Sequence, residues 1–254
     1  MKMRVVPIEC LTDNYAYLLI DGQQRAVVID PSESAPVLAA LQREGAQLTE
    51  IWLTHHHFDH VGGVEALCDS HPGMVVYGSG YDADQQRIPR QTKSLSDGDT
   101  LSFDGVVVNV LEIPGHTLGA LAYRVGACLF TGDTLFLGGC GRVFEGTLPQ
   151  MQQSLAKLRA LEPSLLVYPG HEYTVGNLTF GASVEPGNVR IAERLVDAKA
   201  TRARHEPTVP ARLQLELETN VFLRWDAPEV MAFANGEGDA ATVFGAVRTA
   251  KDRY

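Results

Sequence analysis

The heptapeptide Thr54-His55-His56-His57-Phe58-Asp59-His60 follows a short apolar run and packs four ligand-type side chains, His55, His57, Asp59 and His60, into six residues. Imidazole and carboxylate are the donors that zinc and iron accept. If the segment leaves a strand in extended form, His55 and His57 point the same way, because side chains alternate across an extended backbone. Asp59 and His60 can then turn toward a second ion. A helix would not serve, since residues i and i+2 do not share a helix face. The plain alternatives are an accidental surface cluster or the remnant of a purification tag, but tags sit at termini and contain no acid.

Three more ligand-type residues stand directly after a glycine in loops that end strand-like runs: His116 after Ile113-Pro114-Gly115, Asp133 after Phe130-Thr131-Gly132, and His171 after Tyr168-Pro169-Gly170. Glycine lets the backbone turn sharply at such points. Each alone reads as an ordinary loop residue; together with the heptapeptide they read as a ligand set for two ions. His55, His57 and His116 suit one ion and Asp59, His60 and His171 the other, with Asp133 bridging. A pair of divalent cations brings the pKa of a shared water toward about 7. The resulting hydroxide could attack a carbonyl or phosphoryl centre, with the ions stabilising the developing oxyanion. The catalytic residues of this scheme are Asp59 and Asp133, acting through that hydroxide. Ligating imidazoles donate their other N–H to an outer acceptor, and Asp30 at a strand end is the candidate. His56 should point away from its neighbours, while His71 and His205 read as solvated.

The elements that must position these residues follow from local patterns. Met3–Ile8, Tyr15–Asp21 and Arg25–Asp30 read as strands, with Asp21-Gly22 as a hairpin signal. A helix opens at Ser34-Ala-Pro36 and closes at Gly45. Glu50–Thr54 is the strand that delivers the histidine loop, and Val61–Ser70 a short helix. Gly105–Ile113, Ala120–Val125 and Ala127–Thr131 form a second β-rich group, followed by a helix over Pro149–Leu161 and the strand Leu165–Tyr168. Two β-rich halves with helices predict sheets face to face with helices outside. After Tyr173 the segments Pro186–Arg204, Ala211–Glu218, Pro228–Ala234 and Asp239–Lys251 read as helices, giving a domain of residues 1–173 and a small helical domain of residues 174–254.

Composition narrows the classes. The chain has 254 residues, 45% hydrophobic and 20% charged, with a net charge of −10. That charge argues against nucleic acid as a partner. Glu9 and Asp13 interrupt the first apolar stretch before a signal segment can form, and no window approaches a membrane span. Cys10, Cys68, Cys128 and Cys140 form no CxxC pair, as expected of reduced thiols in the cytoplasm.

The pattern His55-x-His57-x-Asp59-His60 with His116, Asp133 and His171 resembles the metallo-β-lactamase superfamily. Across essentially the whole chain it is most similar to the glyoxalase II (hydroxyacylglutathione hydrolase) family. Segments carrying that likeness include Thr131-Gly-Asp133-Thr134-Leu-Phe136, Gly141–Thr147, Gly170-His-Glu-Tyr-Thr174, Asn220-x-Phe-Leu-Arg224 and Ala246-Val247-Arg248-x-x-Lys251-Asp252. The resemblance implies an α/β fold, an αβ/βα four-layer sandwich with a small all-α C-terminal domain. It implies two divalent ions, zinc first and iron or manganese as alternatives. It also implies hydrolysis of S-(2-hydroxyacyl)glutathione, above all S-lactoylglutathione, in the second step of methylglyoxal detoxification, by a monomer. Glutathione binding falls to Arg142, Phe144, Tyr173, Arg248 and Lys251. An acidic chain needs such a local basic cluster to hold a tripeptide with two carboxylates. Some family members carry Lys at the position of Arg142, which keeps charge but not geometry, and Tyr at that of Phe144. The rival readings are an iron-dependent persulfide dioxygenase, a non-catalytic regulatory protein on the same fold, and a β-lactamase or lactonase.

Overall fold

The computed structural model describes residues 3–236 and 238–254. The chain divides into two compact units, one made of Met1–Glu112 with Gly119–Gly126 and the other of Ile113–Leu118 with Ala127–Tyr254.

The first unit contains a sheet in the order β1 (Arg4–Cys10), β2 (Asn14–Ile20), β3 (Arg25–Ile29), β4 (Gln47–Trp52), β5 (Val75–Ser79) and β6 (Lys93–Leu95). β1, β2 and β3 pair antiparallel, the second hairpin turning at Asp21-Gly22 as expected. From β3 onward the strands run parallel. Each return therefore passes through helix: α1 (Ser34–Glu44), then α2 (Phe58–Val61) with α3 (Val64–Ser70), then α4 (Gly80–Asp84). Every residue of β2 is buried. Ala16, Leu18 and Ile20 on one face share a core with Val37, Ala40 and Leu41 of α1 and Val64 and Leu67 of α3. Tyr15, Tyr17 and Leu19 are buried on the other face, which is why the strand reads as a continuous apolar run. An antiparallel meander of β7 (Thr100–Phe103), β8 (Val106–Glu112) and β9 (Leu121–Val125) completes the unit, with Tyr123 and Phe103 against Trp52.

The parallel strands place their C-terminal ends along one edge, Ile29 beside Trp52 and Trp52 beside Tyr77. That edge is where open α/β sheets present ligand-binding groups. Asp30 follows β3, the heptapeptide follows β4, and α4 follows β5.

In the second unit β10 (Cys128–Gly132) leads through the ribbon β11 (Leu135–Phe136) and β12 (Gly139–Cys140) to α5 (Leu148–Arg159), and α5 returns to β13 (Leu166–Pro169), parallel to β10. A capping box starts α5: Thr147 accepts from the Gln150 backbone and Gln150 reaches back. Again two parallel strands end together, Gly132 beside Pro169, and deliver Asp133 and His171. Among the described residues five helices follow: α6 (Thr174–Val184), α7 (Val189–Ala203), α8 (Leu213–Thr219), α9 (Pro228–Phe233) and α10 (Ala240–Lys251).

Local expectations change at several points. Phe58–Val61 is a helical turn, because His57 adopts extended backbone and its carbonyl accepts from His60 and Val61. Ala211–Arg212 forms a short strand, β14, that pairs antiparallel with β13, so the helix expected from Ala211 begins at Leu213. The helix α6 was not expected at all, and neither were β5, α4, β6 and β7. Among the described residues no helix is long and apolar enough to cross a membrane.

Candidate functional site

In the first unit, a chain of hydrogen bonds starts at Asp30. This buried residue leaves β3 with a positive φ of 49°, a strained conformation that Asp tolerates better than most residues. Its Oδ1 accepts from the Thr54 backbone at 2.8 Å, and its Oδ2 accepts from Thr54 Oγ1 at 2.6 Å and from His60 Nδ1 at 3.0 Å. Since the Thr54 hydroxyl spends its proton on Asp30, it accepts from His55 Nδ1, 3.0 Å away. A carboxylate and a hydroxyl thus fix both imidazoles with Nδ1 protonated and Nε2 carrying its lone pair. Asp30, His55 and His60 are all buried and offer donor atoms within 4.8 Å of one another. Because Asp30 is engaged on the Nδ1 side, it reads as the outer partner of the histidines.

The His55 and His57 rings lie 4.8 Å apart, but the His56 ring lies 5.0 Å from that of His57, so His56 does not point away from both neighbours as expected. Asp59, on the helical turn of α2, is held by Asn14, whose Nδ2 donates to both its carbonyl and its Oδ2 at 3.0 Å. Asp59 Oδ2 lies 3.8 Å from His60 Nε2. Asn14 opens β2, far upstream in sequence, and no local pattern links it to the heptapeptide.

In the second unit, Asp133 Oδ2 lies 3.5 Å from His116 Nε2 and 3.2 Å from His171 Nε2. His116 donates from Nδ1 to the Arg142 carbonyl at 2.8 Å, which again leaves Nε2 unprotonated. The close approach requires glycine at 141, where a Cβ would stand 1.9 Å from the Asp133 carbonyl oxygen. Glu172 buttresses the His171 loop by accepting from the Thr208 backbone at 2.8 Å.

The five residues expected to hold glutathione also lie in this unit. Phe144 and Tyr173 are exposed; Tyr173 stacks on His171 at 4.7 Å, and Phe144 meets His116 edge-on at 5.2 Å. The Arg142 guanidinium sits over the Phe144 ring at 5.9 Å. Arg248 is buried, donating to the Cys140 carbonyl at 2.9 Å and to Asp252 at 3.1 Å, and Arg142 reaches the same Asp252 oxygen at 3.2 Å. Lys251 lies over Phe180 at 5.1 Å and donates to the Gly176 carbonyl. Burial, and then the nearby Arg248, push its ammonium below the ordinary lysine value of 10.5. The sequence gives no hint of the brace beneath them. Glu216, fully buried on α8, accepts from Gly138 at 2.7 Å and from Asn220 at 3.1 Å and pairs with Arg194. It ties the helical region to the ribbon that joins Asp133 to Arg142.

Comparison with known proteins matches residues 12–171 to the metallo-beta-lactamase superfamily and residues 172–254 to the hydroxyacylglutathione hydrolase C-terminus. Hydroxyacylglutathione hydrolase of Gloeobacter violaceus is 47% identical, over 99% of this chain and 100% of that protein. That of Ruegeria pomeroyi is 42% identical, over 100% of both. The chain belongs to the hydroxyacylglutathione hydrolase family. A protein solved in a di-iron-bound form shares the fold, with a TM-score of 0.62 and 28% identity over 87% of this chain and 100% of that one. This hydroxyacylglutathione hydrolase family member thus has the fold of the metallo-β-lactamase superfamily, with a helical region at its C-terminus. Fold and histidine–aspartate groups together imply divalent metal ions. The residues fit such ions: imidazoles with Nε2 lone pairs and carboxylates are borderline-to-hard donors, and His55, His60, His116, Asp133 and His171 are buried.

Proposed function

We propose that this protein hydrolyses S-(2-hydroxyacyl)glutathione thioesters, S-lactoylglutathione foremost, to glutathione and a 2-hydroxy acid. The observation that carries the reading is the likeness to hydroxyacylglutathione hydrolases along the entire chain, helical C-terminus included. His55, His57 and His116 would hold one divalent cation and Asp59, His60 and His171 the other, with Asp133 shared. Zinc, iron and manganese all suit mixed imidazole and carboxylate donors. When bound, such a pair supplies a water acidified for attack and polarises the thioester carbonyl. Asp59, steadied by Asn14, would orient the nucleophile. Arg142, Phe144, Tyr173, Arg248 and Lys251, on residues 142–173 and the helical domain 174–254, would bind and orient the tripeptide, a contribution through positioning. The four free cysteines agree with a reducing cytoplasm.

The deciding experiment is steady-state hydrolysis of S-lactoylglutathione by metal-analysed protein, run beside oxygen uptake with glutathione persulfide. Thioester cleavage with two metals per chain supports the reading. Oxygen consumption without cleavage would replace it with the dioxygenase.

Lys251 gives this reading a pH signature. Because its ammonium is pushed below 10.5, it loses its charge earlier than a free lysine as pH rises. We expect kcat/KM, which reports the free enzyme, to fall on the alkaline side within that lowered range, and Lys251→Arg to abolish this limb. Blank-corrected profiles with the same alkaline limb in both proteins would remove Lys251 from the binding site.

A further inference from the structure

His56, set aside as a non-ligand, sits opposite a buried acid. Its Nδ1 lies 3.2 Å from Asp82 Oδ1, and the Asp82 side chain is wholly buried. The other carboxylate oxygen, Oδ2, accepts from Ser79 Oγ at 2.9 Å, while Ser79 Oγ accepts in turn from the Asp82 backbone at 3.0 Å. Arg87 NH1 stands 3.6 Å from Oδ1 and supplies a permanent positive charge. The lid over this arrangement is Gly119, where a Cβ would fall 2.3 Å from Asp82 Oδ2 and 2.5 Å from Ser79 Oγ. All of these residues belong to the first unit.

A carboxylate buried this deeply is costly unless paired and hydrogen-bonded. The packing is built to keep it, and His56 Nδ1 meets it from the histidine loop at 3.2 Å, a charge-pairing distance without hydrogen-bond alignment. His56 stands between His55 and His57 in the chain, its ring 5.0 Å from that of His57. Holding the His56 ring therefore fixes the backbone dihedrals that aim His55 and His57. The His55 ring is already oriented through Thr54 and Asp30, and His60 through Asp30. What those bonds do not set is the path of the chain from His55 to His57.

We propose that His56 and Asp82 form a positioning pair that fixes the spacing of His55 and His57 as metal ligands. Asp82 is the rigid half, pinned by Ser79 and balanced by Arg87; His56 is the half attached to the loop. The inference rests on the metal-ligand reading of His55 and His57, and not on the identity of the thioester. An asparagine at position 56 carries an amide that can occupy the place of Nδ1 and donate to Asp82, whereas alanine cannot.

The test is competition of the full-length protein with a chromogenic chelator for zinc, with melting of the metal-free form and steady-state kinetics alongside. His56→Ala is expected to weaken zinc retention by about tenfold or more, the usual size of an outer-partner loss. Its kcat should fall in unsupplemented buffer and recover with added zinc, while KM stays near the parent value. His56→Asn should regain most of the retention, and Asp82→Asn should resemble His56→Ala if it folds. Parent-like zinc retention in His56→Ala overturns the proposal, as does an equal loss in His56→Asn, since then the contact from the Nδ1 position is not what matters. A parent that binds no zinc removes the ligand reading and the pair together. A parent that binds two ions yet spares every glutathione thioester sinks the substrate reading and leaves the pair standing.

Discussion

Asp133→Asn is expected to lower kcat/KM for the thioester by about three orders of magnitude, about 4 kcal/mol of transition-state stabilisation, and to leave the protein with fewer than two metals per chain. The substitution keeps the volume of the side chain and removes its charge. It also replaces an acceptor with an amide donor at a point 3.2 Å from His171 Nε2 and 3.5 Å from His116 Nε2. An amide N–H there would cap an imidazole lone pair that the Nδ1 bond of His116 has freed for a cation. Elemental analysis and initial rates on the same preparation check both parts of the expectation. A variant with two ions and parent-like rates would show that Asp133 is not a shared ligand. Fewer ions with an unchanged rate would show that one metal suffices.

How much of this was legible in sequence depended on whether the information was local. The heptapeptide and the three glycine-preceded residues could be read because strand ends and sharp turns leave signs within a few positions. The parallel pairings of β3 with β4 and of β10 with β13 then explain why those signs mattered: the ends that carry them lie level. The helix α6 escaped because its sequence, TVGNLTFGASV, carries two glycines and is buried on several sides, so no apolar stripe separates one face from another. The two residues of β14 were hidden at the start of a helical pattern and exist as strand only because β13 offers an edge. Long-range partners left no trace either. Asn14 on Asp59, Asp82 beside His56 and Glu216 on Gly138 are each fixed by tertiary packing, at separations where sequence carries no periodic signal.

Arg248 shows how structure changes a reading without changing the residue. From the sequence it could be a solvated residue near the end of the chain or a contact for a substrate carboxylate, and its replacement should then affect KM alone. In the structure it is buried on α10, with the Phe222 ring 5.1 Å from its guanidinium carbon and the Cys140 carbonyl as its acceptor. Burial, partly offset by Arg248, raises the pKa of the adjacent Cys140 thiol to about 11. Arg248→Ala is therefore expected to act twice. Losing a charge-assisted hydrogen bond to the tripeptide, about 1.5–3 kcal/mol, should raise KM by about 10- to 150-fold while kcat changes little, because the interaction is shared by ground and transition states. Removing the side chain also strands the Cys140 carbonyl and opens a void against Phe222, which should cost about 2 kcal/mol of stability and lower Tm by several degrees. Arg248→Lys separates the two effects. A lysine stem refills much of the void and restores one donor, but a point charge cannot reproduce the fork that reaches Cys140 and Asp252 together. We expect most of the lost Tm to return with lysine, and less of the lost affinity. KM values and melting curves for the three proteins decide the matter: an Ala variant with lowered Tm and unchanged KM would make Arg248 a purely structural residue and move the glutathione site elsewhere.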